Sequence, residues 1–154
     1  MVTTARMDDP TTSIDETDRF DAPGCDRAAG SGDAPAHVIV IEDSTDIGRL
    51  IEVLLCSLGA RVTLHAEPRP VLALIENGAP PDLLVVDRML PHVSGDELIR
   101  RARARAPWAS VPIVVVSAKT QALDDSDHTL EGANVCLAKP FRVEHFLATI
   151  RRFL

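Results

Sequence analysis

Apolar and polar positions along this chain fall into two alternating patterns. Five short aliphatic runs, His37–Ile41 (HVIVI), Val62–Ala66, Leu83–Val86 (LLVV), Ile113–Val116 and Val135–Ala138, are rich in β-branched residues and predict strands, most of them buried on both faces. Between them, apolar residues return at helical spacing. Ile47, Leu50, Ile51, Leu54, Leu55 and Leu58 follow Ser44 as a candidate cap and stop at Gly59, which tolerates left-handed angles. Pro68–Asn77 stops at Gly78, Gly95–Ala104 forms a third helix, and Val143, Phe146, Leu147, Ile150 and Leu154 line one side of a last one. The stretch 121–132 (QALDDSDHTLEG) is the weakest predicted helix, because Asp124, Asp125, Ser126 and Asp127 compete with backbone hydrogen bonds, so a short or mobile element is expected there.

Five strand and helix alternations imply a parallel sheet covered on both faces, joined by right-handed crossovers. Residues 1–35 lie outside this pattern. They are rich in Asp, Thr, Ala, Gly and Pro, with Phe20 as their one aromatic, and are expected to form a disordered extension that is dispensable for folding, leaving 36–154 as the folded domain. The formal charge of −7 changes little in this picture, since −5 of it falls within residues 1–35, and that sign disfavours nucleic acid as a partner of the tail. No apolar run is long enough to cross a bilayer or to serve as a signal-peptide core, so a cytoplasmic protein with no membrane contact is expected. Cys25, Cys56 and Cys136 lack CxxC spacing; their odd number argues against a disulfide framework or zinc site, and Cys56 and Cys136 read as small core residues. Arg100, Arg101, Arg103 and Arg105 could suggest phosphate or partner binding but read better as a solvated helix face.

Candidate chemistry lies where the strands stop. Glu42 and Asp43, then Asp87, Ser117 and Lys139, follow or close four of the five strands, and in a parallel sheet those ends share one rim, where ligands bind in open α/β folds. Three carboxylates there would repel unless a hard, oxygen-preferring cation sat among them, with Mg²⁺ the natural candidate. A lysine and a hydroxyl on the same rim suit an incoming phosphoryl group, which makes Asp87 a nucleophile of the aspartyl-phosphate kind.

Taken together, the acid pair Glu42 and Asp43, DLLVVDRMLPHVSG around Asp87, VVVSA around Ser117 and the KPF of Lys139 to Phe141 resemble the response-regulator receiver domain of two-component signalling over residues 36–154. The separations of 44 residues from Asp43 to Asp87, 30 on to Ser117 and 22 on to Lys139 fit as well. The resemblance implies a flavodoxin-like (βα)5 fold with strand order 2-1-3-4-5. It implies that Asp87 accepts phosphate from a phosphohistidine on a sensor histidine kinase or phosphotransfer protein. Mg²⁺ would be held by Asp43, Asp87 and the Met89 carbonyl, with Glu42 acting partly through water. Lys139 and Ser117 would bind the phosphoryl oxygens, and the Lys139–Pro140 bond would be cis. The protein would then be a signalling phosphoacceptor with intrinsic Mg²⁺-dependent self-phosphorylation and dephosphorylation chemistry, not an enzyme in the ordinary sense.

One departure stands out. Three residues before the lysine, where receivers mostly carry Tyr, Phe or His, this chain has Cys136, which cannot make an aromatic swing toward Ser117. A phosphorylation-independent receiver-like binding module is therefore the alternative. A haloacid-dehalogenase-like phosphatase is disfavoured because Met89 stands where its second Asp belongs, and no GxxxxGK[ST] or GxGxxG motif occurs. Since the sequence stops at Leu154 after the last helix, a stand-alone regulator acting through a downstream protein partner is expected, with no direct nucleic-acid contact. Met89 and Lys119, flanking the expected path of attacking water, lack a group to orient it and suggest a long-lived phosphorylated form.

Overall fold

The computed structural model describes residues 34–118 and 132–154. The expected N-terminal extension, apart from its last two residues, lies outside the described residues, as do Lys119 and the weak helical stretch before Gly132. Five parallel strands form one sheet in the order β2-β1-β3-β4-β5. They are β1 (His37–Ile41), β2 (Arg61–His65), β3 (Leu83–Asp87), β4 (Ile113–Ser117) and β5 (Val135–Ala138). Among the described residues four helices accompany them: α1 (Thr45–Ser57), α2 (Pro68–Asn77), α3 (Gly95–Ala104) and α4 (Val143–Ile150). The fold is the flavodoxin-like arrangement with the expected strand order.

Strand alternation divides the core. Ile39, Ile41, Leu84, Val86, Ile113 and Val115 face α2 and α3, where Val71, Ile75, Leu98 and Ile99 meet them. Val38, Val40, Leu83, Val85, Val114 and Val116 point the other way, onto Ile51 and Leu55 of α1 and Phe146 and Ile150 of α4. Because every residue of β3 and β4 is buried, these central strands carry apolar side chains on both faces, and their polar residues are confined to their ends.

Several local details differ from the sequence pattern. Arg103 departs from the solvated row, half-buried and donating to the carbonyls of Trp108, Ala109, Val111 and Gly132, whereas Arg105 is exposed and donates to that of Glu76. Arg100 and Arg101 stay on the surface, paired with Glu97. Trp108, in the turn between α3 and β4, is fully buried in the α2–α3 side of the core. Cys56 is disulfide-bonded, whereas Cys136 is a free thiol. The last helix ends at Ile150 and gives way to a turn, so Leu154 is exposed instead of lying on its apolar side.

Candidate functional site

The sheet brings the five predicted side chains to one rim. Asp87 is the last residue of β3 and Ser117 the last of β4; in the β3–β4 register Asp87 lies opposite Val116, one step from Ser117. Glu42 directly follows β1, and its N–H continues the ladder by donating to the His65 carbonyl at 3.0 Å. Lys139 follows β5, held in place by its own N–H, which donates to the Ser117 carbonyl at 2.8 Å. The Lys139–Pro140 peptide is cis, as expected, and the next residue, Phe141, stacks its ring on Phe146 of α4 with centroids 5.1 Å apart.

Lys139 is the centre of the arrangement. Its ammonium donates to Glu42 Oε2 at 2.5 Å and to Asp87 Oδ2 at 2.7 Å. All three side chains are largely withdrawn from solvent, which strengthens their attraction and makes any unpaired charge among them costly. Burial alone would lower the lysine pKa, but its hydrogen bonds to Asp87 and Glu42 outweigh burial and raise it. Glu42 moves upward, chiefly through burial, against the hydrogen bond from Lys139 and with the added repulsion of Asp87.

Each remaining carboxylate oxygen has its own neighbour. Asp87 Oδ1 accepts the Met89 N–H at 2.8 Å, and Glu42 Oε1 accepts the Ser44 N–H at 3.2 Å. Asp43 is exposed, yet a carboxylate oxygen from each of Glu42, Asp43 and Asp87 lies within 4.8 Å of the others. Three acids against one ammonium leave negative charge uncompensated, and an all-oxygen set of this kind fits a hard divalent cation. Met89 sits beside the cluster with its side chain largely exposed.

Behind these groups the β3–α3 loop is fixed by close packing. A Cβ on Gly95 would stand 2.6 Å from the Asp87 carbonyl oxygen and 2.9 Å from Arg88 Cα, so only glycine lets α3 start against the Asp87 backbone. Ser94 caps that helix by accepting the Glu97 N–H at 3.2 Å, and Arg88 reaches Asp96 at 3.3 Å. The sequence reasoning did not find the main-chain donors of Ser44 and Met89. Their signal was available, because Asp and similar side chains often accept the backbone N–H two residues on.

Residues 38–151 match the family described as the response regulator receiver domain. The chain belongs to that family. Among curated relatives, this receiver is similar to the response regulator ArlR of Staphylococcus haemolyticus, 32% identical over 120 residues, covering 77% of this chain and 52% of ArlR. It is likewise similar to the transcriptional regulatory protein KdpE of Mycobacterium tuberculosis, 32% identical over 115 residues, covering 74% and 49% of the two chains. The receiver thus spans about half the length of the curated relatives it matches. Among solved structures it resembles the receiver domain of the sensor histidine kinase PA1611 of Pseudomonas aeruginosa, determined with a magnesium ion coordinated in the active site cleft. That likeness has a TM-score of 0.68 at 30% identity and covers 78% of this chain and 98% of the other. The chemotaxis response regulator CheY4 of Vibrio cholerae gives 0.69 at 27% identity, covering 79% and 100%.

Within this receiver, Cys136 lies opposite Val115 in the β4–β5 register, half-buried and packed against the α2–α3 side of the core. Among the described residues, no helix is long and apolar enough to cross a membrane.

Proposed function

We propose that this receiver takes a phosphoryl group from a phosphohistidine, on a sensor histidine kinase or phosphotransfer protein, onto Asp87, and that it signals through protein contacts. The observation carrying this proposal is the Lys139 ammonium held between Glu42 and Asp87 at the sheet rim, with Ser117 one ladder step away. An Asp87 carboxylate oxygen attacks phosphorus as the phosphorus–nitrogen bond of the donor breaks, and the electron pair of that bond returns to the imidazole. Lys139, already within reach of Asp87 Oδ2, shifts its ammonium to the arriving phosphoryl oxygens, and the Ser117 hydroxyl donates a hydrogen bond to them. Glu42, Asp43, Asp87 and the Met89 carbonyl would hold Mg²⁺, Glu42 in part through water. When bound, Mg²⁺ offsets the negative charge gathered as phosphorus changes partners.

Incubation with acetyl phosphate and Mg²⁺ is expected to add one phosphoryl group by intact mass, and Asp87→Asn to abolish it. No adduct on the unaltered chain would favour the phosphorylation-independent binding module, a possibility that Cys136 in place of an aromatic keeps open. Comparing proteins captured by the beryllofluoride-treated and untreated forms then identifies the downstream partner.

A further inference from the structure

The lysine at the rim directly follows a short edge strand of the described sheet. β5 has four residues, only Leu137 of them fully buried, and it is paired with β4. A one-residue slip of such a strand would turn every side chain to the opposite face. At the far end from Lys139, however, the strand is fastened by side chains. Asn134, immediately before β5, donates its N–H to the Ile113 carbonyl at 2.8 Å, while its Oδ1 accepts the Ile113 N–H at 2.8 Å. The same Oδ1 accepts from Arg103 Nη2 at 3.1 Å, and Arg103 Nε donates to the Gly132 carbonyl at 2.8 Å. Arg103 Nη1 meanwhile donates to the Val111 carbonyl at 2.7 Å and the Ala109 carbonyl at 3.0 Å. A guanidinium is suited to this because its donors lie in one rigid plane, and its charge sits in the last turn of α3, where the helix dipole favours a cation. One fork therefore joins the end of α3, the approach to β4 and the approach to β5.

We propose that Arg103 and Asn134 are positioning residues for phosphoryl acceptance: they lock the β4–β5 register from the end of the strands opposite the rim and so hold Lys139 on Asp87. This inference rests on the proposed function, yet the lock itself can be read without any phosphate donor.

In the unphosphorylated full chain, Asn134→Ala and Arg103→Gln are expected to speed amide hydrogen exchange over residues 135–139 by roughly tenfold relative to β1 and β3, as local opening of a strand end would. Asn134→Asp, which keeps the acceptor, is expected to restore protection. With acetyl phosphate and Mg²⁺, Asn134→Ala should slow phosphorylation by roughly tenfold, the scale of a misplaced site group. It should not weaken Mg²⁺ binding followed by titration, because a displaced ammonium no longer competes for the acids. Added to Lys139→Ala, Asn134→Ala should cause no further loss of rate, since both act through one side chain. Unchanged exchange over 135–139, or losses that multiply in the double variant, would overturn the lock. A merely structural role would instead lower the Mg²⁺ affinity and the rate together. Absence of phosphorylation in the unaltered chain would count against Asp87 as acceptor, and the exchange data would still decide the lock.

Discussion

His65 closes β2 half-buried, with Nε2 lacking a hydrogen-bond partner among the described residues, and burial, reinforced by the charge of His37, lowers its pKa. Unfolded, the imidazole takes up a proton below about 6.5. The folded form resists that proton, so this side chain's contribution to stability is present above that pH and is lost as pH falls through the lower folded value. His65→Leu is expected to stabilise the protein by about 1 kcal/mol at neutral pH and to flatten the decline toward pH 5. Urea unfolding across that range checks it; an unchanged slope would remove His65 from the account. Glu42 works in the opposite sense. Its raised pKa means that its contribution is fully present below about 4.3 and is lost as pH rises through the folded value. Lys139 limits that loss by sitting between Glu42 and Asp87. Lys139→Met is therefore expected to cost about 3 kcal/mol at neutral pH, where two buried carboxylates lose their counter-charge, and less toward acid pH, where Glu42 with its raised pKa can protonate. Equal losses at neutral and acid pH would mean that packing, not charge, holds the lysine's place.

At the scale of elements, the start of α3 supports Asp87 most directly. Ser94→Ala removes the acceptor for the Glu97 N–H and should cost about 1 kcal/mol with little effect on the site. Gly95→Ala differs in kind. The added carbon meets main-chain atoms of Asp87 and Arg88, which cannot yield without moving Asp87, the proposed acceptor, so a loss of about 2 kcal/mol is expected together with slower phosphorylation. Parallel unfolding and phosphorylation measurements on the two variants separate cap from contact. The strands were legible in the sequence because a fully buried parallel strand has to be an unbroken apolar run, as LLVV and IVVV show. Their charged ends were legible for the same reason: a polar residue is tolerated only where the strand leaves the core. Trp108 was not legible, since it stands in a turn without periodicity, and Arg103 was not, since arginine in the last turn of a helix usually points to water. Its fork finds carbonyls that lie between 5 and 29 residues away in the chain.

For the whole molecule, the sheet separates two cores that share no residue. Trp108→Phe on one side and Phe146→Leu on the other should therefore destabilise independently, the double variant equalling the sum within about 0.5 kcal/mol by urea unfolding. A larger interaction would show the sheet transmitting strain between its faces. The rim has the reverse character, because it belongs to all the central strands at once. Glu42 and Lys139 are 97 residues apart in the chain and meet at 2.5 Å. Such a contact forms only after nearly every intervening loop has closed, among the slowest events in building a parallel sheet. During synthesis, a chain stalled between β3 and β5 would carry Asp87 without the ammonium that pairs with it. Under the proposed function, competence to receive a signal thus arrives with the last strand, and a half-made copy would stay silent to its donor.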